Sequence, residues 1–302
     1  MFRRALSTLG CGTLSLEEAR QLARRHGLDA IELRALDRSL DLPARLAHRY
    51  GSPAELADRT GDPAARVVLL GSSVSLVGAT PADLEQLLLY APWAEAFGAR
   101  WIRVFDGGAG GHTGAELAEA LATMAWWRTW RQQHGWKVDL AVETHDSLLT
   151  GDRIGRFARA CPGVQILWDA HHTWRKGHEH PLMTWAKAAP HVVHIHVKDS
   201  RSAASPAGFE YVLPGTGEFP IRALLPVLRV EFAGCVSLEW ERWWHPPGTA
   251  TLGGGPCLRG KLPLVVTRAD KSADPQSDLP SENRLCAAPP FRGCHSCETR
   301  SG

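Results

Sequence analysis

Nowhere in the 302 residues is there a run of about 18 apolar side chains, which excludes a membrane-spanning helix. The opening segment MFRRALSTLG lacks the apolar stretch that a secretory signal needs. Charge of one sign is lacking too: 34 Lys and Arg stand against 32 Asp and Glu, a formal net charge of +2. That near-balance gives no electrostatic reason for a polyanionic partner such as DNA. Cysteine is sparse before residue 248, where only Cys11, Cys161 and Cys235 occur. Such scattered thiols suit a reducing compartment, and the expectation is a cytoplasmic protein.

The hydrophobic fraction of 44% is enough for one large core. Short runs rich in Val, Ile, Leu and aromatics recur at Ala5–Leu9, Ala30–Arg34, Arg66–Leu70, Trp101–Phe105, Asp139–Glu143, Gln165–Trp168, Val192–Val197 and Cys235–Leu238. Several are nearly continuous, as strands covered on both faces should be. Helix signals fall between them. Ser15-Leu-Glu-Glu18 is a capping box, and Thr80-Pro81-Ala-Asp83 offers an N-cap, a proline at the first helical position and an acid in the first turn. The helix through Ala115–His134 carries Trp126, Trp127 and Trp130, an aromatic face for packing on the sheet. Eight strands alternating with helices predict an α/β fold, a (β/α)8 TIM barrel. An open doubly wound sheet is the alternative, but Gly10-Cys-Gly12 lacks the third glycine of a dinucleotide turn.

Barrel enzymes place their chemistry at the C-terminal ends of the strands. The last four strands here end Val-Glu143-Thr-His145, Trp-Asp169-Ala-His171-His172, His194-Ile-His196-Val-Lys198-Asp199 and Leu-Glu239-Trp-Glu241. One such ending could be a helix cap; four in succession point to a metal site. Glu143 and Glu239 directly follow apolar runs and so stand at their strand ends. His194 and His196 share a parity; His196 is nearer the strand end and is the better ligand, leaving His194 as a hydrogen-bonded core histidine. His145 could orient Glu143, contact substrate or stay solvated. Glu241 is expected to pair with Arg242 or Lys198. Oxygen and nitrogen donors without thiolate suit one divalent ion, Mn²⁺, Mg²⁺, Co²⁺ or Zn²⁺.

These four endings, in this order and spacing, resemble the xylose-isomerase-like TIM barrel superfamily, and within it the sugar phosphate isomerase/epimerase family. Ile-Glu32-Leu-Arg34 and Ile-Arg103-Val-Phe-Asp-Gly-Gly108 are also typical, and the resemblance runs from about residue 3 to 246. It implies Glu143, Asp169, His196 and Glu239 as metal ligands, with Glu143 and Glu239 also moving protons. His172 is implied as a substrate or supporting group, and His145, Lys198 and Arg34 are further candidates for substrate binding. Leu213-Pro-Gly215-Thr-Gly217-Glu-Phe resembles the family's glycine-rich loop. It precedes the helix of Ile221–Phe232, where free backbone N–H groups could meet a polar or anionic substrate end, or the segment is an ordinary tight turn.

The implied reaction is isomerisation or epimerisation of a small sugar, keto-sugar or sugar phosphate. A carboxylate would remove the proton beside a metal-held carbonyl and return it through an enediolate. A keto-inositol-type dehydratase or a hydroxypyruvate isomerase would use similar ligands. An abasic-site endonuclease would need extra histidines after the third and fourth strands, where Leu70-Gly-Ser-Ser and Phe105-Asp-Gly-Gly stand. A barrel surviving only as a binding or scaffold protein is the non-enzymatic alternative. The expected partner is a small carbohydrate, with no nucleic acid and no membrane; a homodimer would fit the family.

The family pattern stops near residue 247. All twelve tryptophans precede Gly248, while Cys257, Cys286, Cys294 and Cys297 crowd the last 55 residues. The reading is a barrel over residues 1–247 that lacks a regular eighth helix, and an atypical, disordered tail over 248–302. An altered gene end or reading frame would account for the missing helix.

Overall fold

A computed structural model of the chain describes residues 1–57 and 65–241. Eight parallel strands close into a barrel: β1 (Arg3–Ser7), β2 (Ala30–Leu33), β3 (Arg66–Ser75), β4 (Trp101–Phe105), β5 (Asp139–Glu143), β6 (Gln165–Asp169), β7 (Val192–Val197) and β10 (Cys235–Leu238). The ring runs in chain order, and β10 pairs with both β7 and β1. The expected TIM barrel is therefore present. The anticipated tail and the question of an eighth helix lie outside the described residues.

Side-chain parity divides the strands into two environments. Ile31, Val67, Ile102, Val104, Leu140, Val142, Ile166, Ile195 and Val236 join the large core beneath the surrounding helices. The opposite parity faces the barrel axis. Its lower part is apolar and small, with Ala5, Ala30 and Cys235 in one cluster and Leu69, Ala141 and Leu167 in another. Toward the C-terminal ends the same rows turn polar: Ser7, Glu32, Arg103, Glu143, Asp169, His194, His196 and Ser237 are all buried. A closed barrel of this size fills its interior with side chains, so these charges have no route to bulk water and must satisfy one another.

The helix signals hold. Ser15 forms a capping box with Glu18 ahead of α1 (Leu16–Arg25), and Thr80 forms one with Asp83 ahead of α4 (Pro81–Phe97). On α5 (Gly114–His134) Trp127 is fully buried and its indole N–H donates to Asp139 at 2.9 Å, whereas Trp126 packs only partly against the core. Among the described residues no helix is long and apolar enough to cross a membrane.

Three features differ from the expected strands. β1 spans Arg3–Ser7 instead of Ala5–Leu9, because Thr8–Cys11 forms a 3-10 turn. β3 continues to Ser75 instead of ending at Leu70, with an irregular register to β4 between Gly71 and Ser75. The segment after β7, outside the eight expected strands, contains an antiparallel hairpin, β8 (Asp199–Ser202) with β9 (Phe209–Val212).

A candidate metal centre at the barrel mouth

Each candidate ligand is delivered by a strand end. Glu143 closes β5, Asp169 closes β6, His196 sits in β7 beside Asp169, and the amide of Glu239 continues the β10 ladder by donating to Val197 O at 3.1 Å. The four offer one donor atom each within 4.8 Å of one another, and all are buried. His196 Nδ1 stands 3.3 Å from Glu143 Oε1 and 3.3 Å from Glu239 Oε2. Asp169 divides its carboxylate: Oδ1 accepts the amide of His172 at 2.8 Å, capping α7 (Ala170–Arg175), while Oδ2 faces the cluster. Glu143 Oε2, Asp169 Oδ2 and His196 Nδ1 are buried without a hydrogen-bond partner. Three carboxylates and an imidazole gathered this closely repel one another unless cations intervene, and that donor set fits one divalent ion.

The protein's own cations sit at the rim of this cluster. Lys198 Nζ lies 2.8 Å from Asp169 Oδ2 and 2.7 Å from Glu239 Oε2, and it also pairs with Glu241. Arg103 Nε lies 3.2 Å from Glu143 Oε2. Those two oxygens have cations at ion-pair distance but off hydrogen-bond direction, so their lone pairs stay available. Burial alone would raise the Glu143 carboxyl; the charge of Arg103 and the contact with His196 overcome it and hold the group well below the usual range. For Asp169 burial is likewise outweighed, by His172 and Lys198, and its pKa is lowered. Burial opposes the charged His196 ring, yet Glu239 and Glu32 raise it well above its ordinary value.

The remaining candidates surround this core at different depths. His172 Nδ1 stands 3.3 Å from Asp169 Oδ2 and Nε2 3.7 Å from Glu241 Oε1, a supporting position. His171 points away, its Nε2 2.7 Å from Ser200 Oγ. His145 packs on Phe105 and His172 at the mouth, with Nδ1 2.7 Å from Asp146. Arg34 is buried above β2, bonded to Ser73 through Nη2 at 2.9 Å with Nη1 unpartnered. Burial and the neighbouring Arg103 charge lower its guanidinium to about 10. Lys198, expected as a substrate contact, is embedded among the carboxylates of Asp169, Glu239 and Glu241.

The glycine-rich loop is the ordinary tight turn, the second alternative for it. Its amides are not free for a substrate: Gly215 and Gly217 N–H donate to Asp199 Oδ2 at 2.7 and 3.0 Å, and Phe219 N–H to Oδ1 at 3.0 Å. Thr216 N–H and Glu218 N–H go to Leu213 O and Ser200 O. The turn is tied to the hairpin, and a side chain at Gly217 would stand 2.3 Å from Asp199 Oδ1.

The sequence profile of the xylose isomerase-like TIM barrel matches residues 20–254. The chain belongs to this family. No curated protein matches it. Among solved structures it is similar to the probable 3-DHS dehydratase AsbF of Bacillus anthracis, at 20% identity and TM-score 0.65, covering 80% of this chain and 93% of that one. The IOLI protein with a bound zinc atom aligns at 17% identity and TM-score 0.61, covering 81% and 90%. The 3-keto-D-glucoside 4-epimerase YcjR of E. coli aligns at 14% identity and TM-score 0.57, covering 79% and 92%. At these identities the likeness is one of fold.

Two residues of the site escaped sequence reasoning. Arg103 and Glu32 were noticed only as parts of typical phrases, yet both lie inside the barrel against the ligand set. The available signal was a single charge within an apolar strand covered on both faces, which can point only along the barrel axis.

Proposed function

We propose that the barrel is a divalent-metal-dependent isomerase or epimerase of a small sugar, keto-sugar or sugar phosphate. Glu143, Asp169, His196 and Glu239 would hold the ion. The observation that carries this reading is the set of four buried donors within 4.8 Å, three of them with atoms lacking any hydrogen-bond partner. When bound, a divalent ion there supplies Lewis acidity toward a carbonyl and its adjacent hydroxyl, which acidifies the neighbouring C–H.

The chain's own groups supply the proton traffic and the orientation. Glu143 and Glu239 flank His196 Nδ1 from two sides. One takes the substrate's proton, and return to the adjacent carbon gives isomerisation, return to the opposite face of the same carbon epimerisation. Lys198 pairs with Glu239 and Arg103 with Glu143, which holds both carboxylates in place. In this reading His145, His172 and Arg34 would meet the hydroxyl or anionic end of a substrate entering the mouth.

A second reading, a dehydratase, is favoured by one specific feature. The Lys198 ammonium lies beside Glu239, where it could protonate a departing hydroxyl, a step that isomerisation does not require. The Bacillus anthracis neighbour is a probable 3-DHS dehydratase. Incubating the metal-loaded protein in D₂O with candidate ketoses separates the readings. Carbon-bound deuterium in an otherwise intact sugar supports isomerase or epimerase chemistry, and loss of water with a new ultraviolet absorbance supports the dehydratase. Bound metal without either outcome for any substrate would favour a non-catalytic barrel.

A further inference from the structure

The floor of the site holds a carboxylate that the reading above does not use. Glu32, in β2, is completely buried. Its Oε2 lies 2.8 Å from His196 Nε2 and 3.0 Å from His194 Nε2, and its Oε1 accepts the Ser7 hydroxyl at 3.1 Å. An ionised carboxylate can only accept, so both ring nitrogens must present hydrogens to it. His194 shares its hydrogen with Ser237 Oγ, 2.7 Å away.

For His196 the consequence reaches the opposite edge of the ring. When a cation displaces the proton on Nδ1, hydrogen held on Nε2 leaves the lone pair of the ring on Nδ1. Nδ1 is the atom that faces Glu143 and Glu239 at 3.3 Å and has no hydrogen-bond partner. We infer that Glu32 is a positioning residue for the metal centre: it fixes His196 in the Nε2–H tautomer and so aims Nδ1 at a divalent cation. The inference rests on the four-ligand reading. It gives a purpose to the buried chain Ser7–Glu32–His196, which otherwise places a charge in the barrel for no gain in packing.

Glu32, His194 and His196 are themselves close enough to suggest an ion between them. The distances argue otherwise. Donors sharing one zinc at about 2.0–2.1 Å stand roughly 3.3 Å apart in a tetrahedron. Separations of 2.8 and 3.0 Å are those of hydrogen bonds.

Titrating the full chain with Co²⁺, followed by its visible absorption and by calorimetry, tests the assignment on wild type, Glu32→Gln and Ser237→Ala. Wild type should bind one equivalent. Glu32→Gln should bind about 10- to 100-fold more weakly with a shifted band, because the amide can turn its NH₂ toward Nε2 and drive the proton onto Nδ1. Ser237→Ala removes a hydrogen bond to His194 and none to His196 or Glu32, and should bind like wild type. Equal binding by wild type and Glu32→Gln, or equal loss in both variants, overturns the role of Glu32. A second equivalent lost with Glu32→Gln overturns it as well, in favour of a second ion. No Co²⁺ bound by wild type sinks the metal-centre reading itself. Should Glu32→Gln fail to fold, ¹⁵N histidine spectra of zinc-loaded wild type decide: Nε2–H with zinc on Nδ1 is expected, and the reverse tautomer overturns the inference.

Discussion

Asp106 offers a sharp test of how the mouth is held in place. It follows β4, is completely buried, and its carboxylate gathers backbone amides from two loops. Oδ1 accepts Gly107 and Asp146 N–H at 2.8 Å and His145 N–H at 3.3 Å; Oδ2 accepts Ser147 at 2.9 Å and Leu148 at 2.6 Å. In Asp106→Asn only one oxygen remains. Its better placement keeps the three donors on the Oδ1 side and turns an NH₂ toward Ser147 and Leu148, leaving two buried amides without an acceptor. Each such loss costs about 1–3 kcal/mol, so the variant should be destabilised by roughly 4 kcal/mol. For a domain of this size that is a fall in Tm of about 8–16 °C. Urea unfolding followed by tryptophan fluorescence should show a lower midpoint at an unchanged slope. The same change loosens the segment that carries His145, so turnover should fall although the Asp106 carboxylate bonds to backbone amides of the loops and to none of the four ligands. A loss below about 1 kcal/mol would refute the idea that this carboxylate organises the loop.

Three further outcomes follow from other parts of the molecule. Glu143→Gln and Glu239→Gln should each fold but lose roughly 10²- to 10⁴-fold in turnover, and near-normal rates would remove these residues from proton transfer. Trp127→Ala, which empties a fully buried site, should cost about 3–5 kcal/mol, while Trp126→Ala costs much less; equal losses would contradict the packing of α5. The Asp83 carboxyl is lowered from its ordinary value of 3.8 by hydrogen bonds from the Thr80 side chain and backbone. A depressed acid contributes stability above its unfolded-state pKa and loses it as pH falls through the folded value. Asp83→Asn should therefore melt earlier than wild type at pH 7, and the difference should close in strong acid; a difference independent of pH would count against the capping box.

What could be read in the sequence follows from how each segment is covered. The eight barrel strands were legible because helices cover one face and the barrel interior the other, leaving runs such as Leu-Ala-Val before Glu143. Their ends were legible because four ended in ligand-type residues one after another. The hairpin Asp199–Ser202 with Phe209–Val212 was not, since its first strand is Asp-Ser-Arg-Ser and its second is only four partly exposed residues, too short to carry a period. The glycine-rich turn stayed open between two readings because its amides are satisfied by Asp199, a residue well before it in the chain. Periodicity cannot report such a partner. Glu32 and Arg103 were missed for a related reason: their flanking residues mark a strand, and only closure into a barrel shows that the odd charge lies beneath the ligands.

The most direct test of the account is an anomalous-scattering map from crystals of the full chain soaked in Mn²⁺. One peak is expected at the barrel mouth, bounded by Glu143, Asp169, His196 Nδ1 and Glu239, with Glu32 hydrogen-bonded to His196 Nε2 beneath it. No peak, or a peak between Glu32, His194 and His196 instead, would contradict the four-ligand centre on which the proposed chemistry depends.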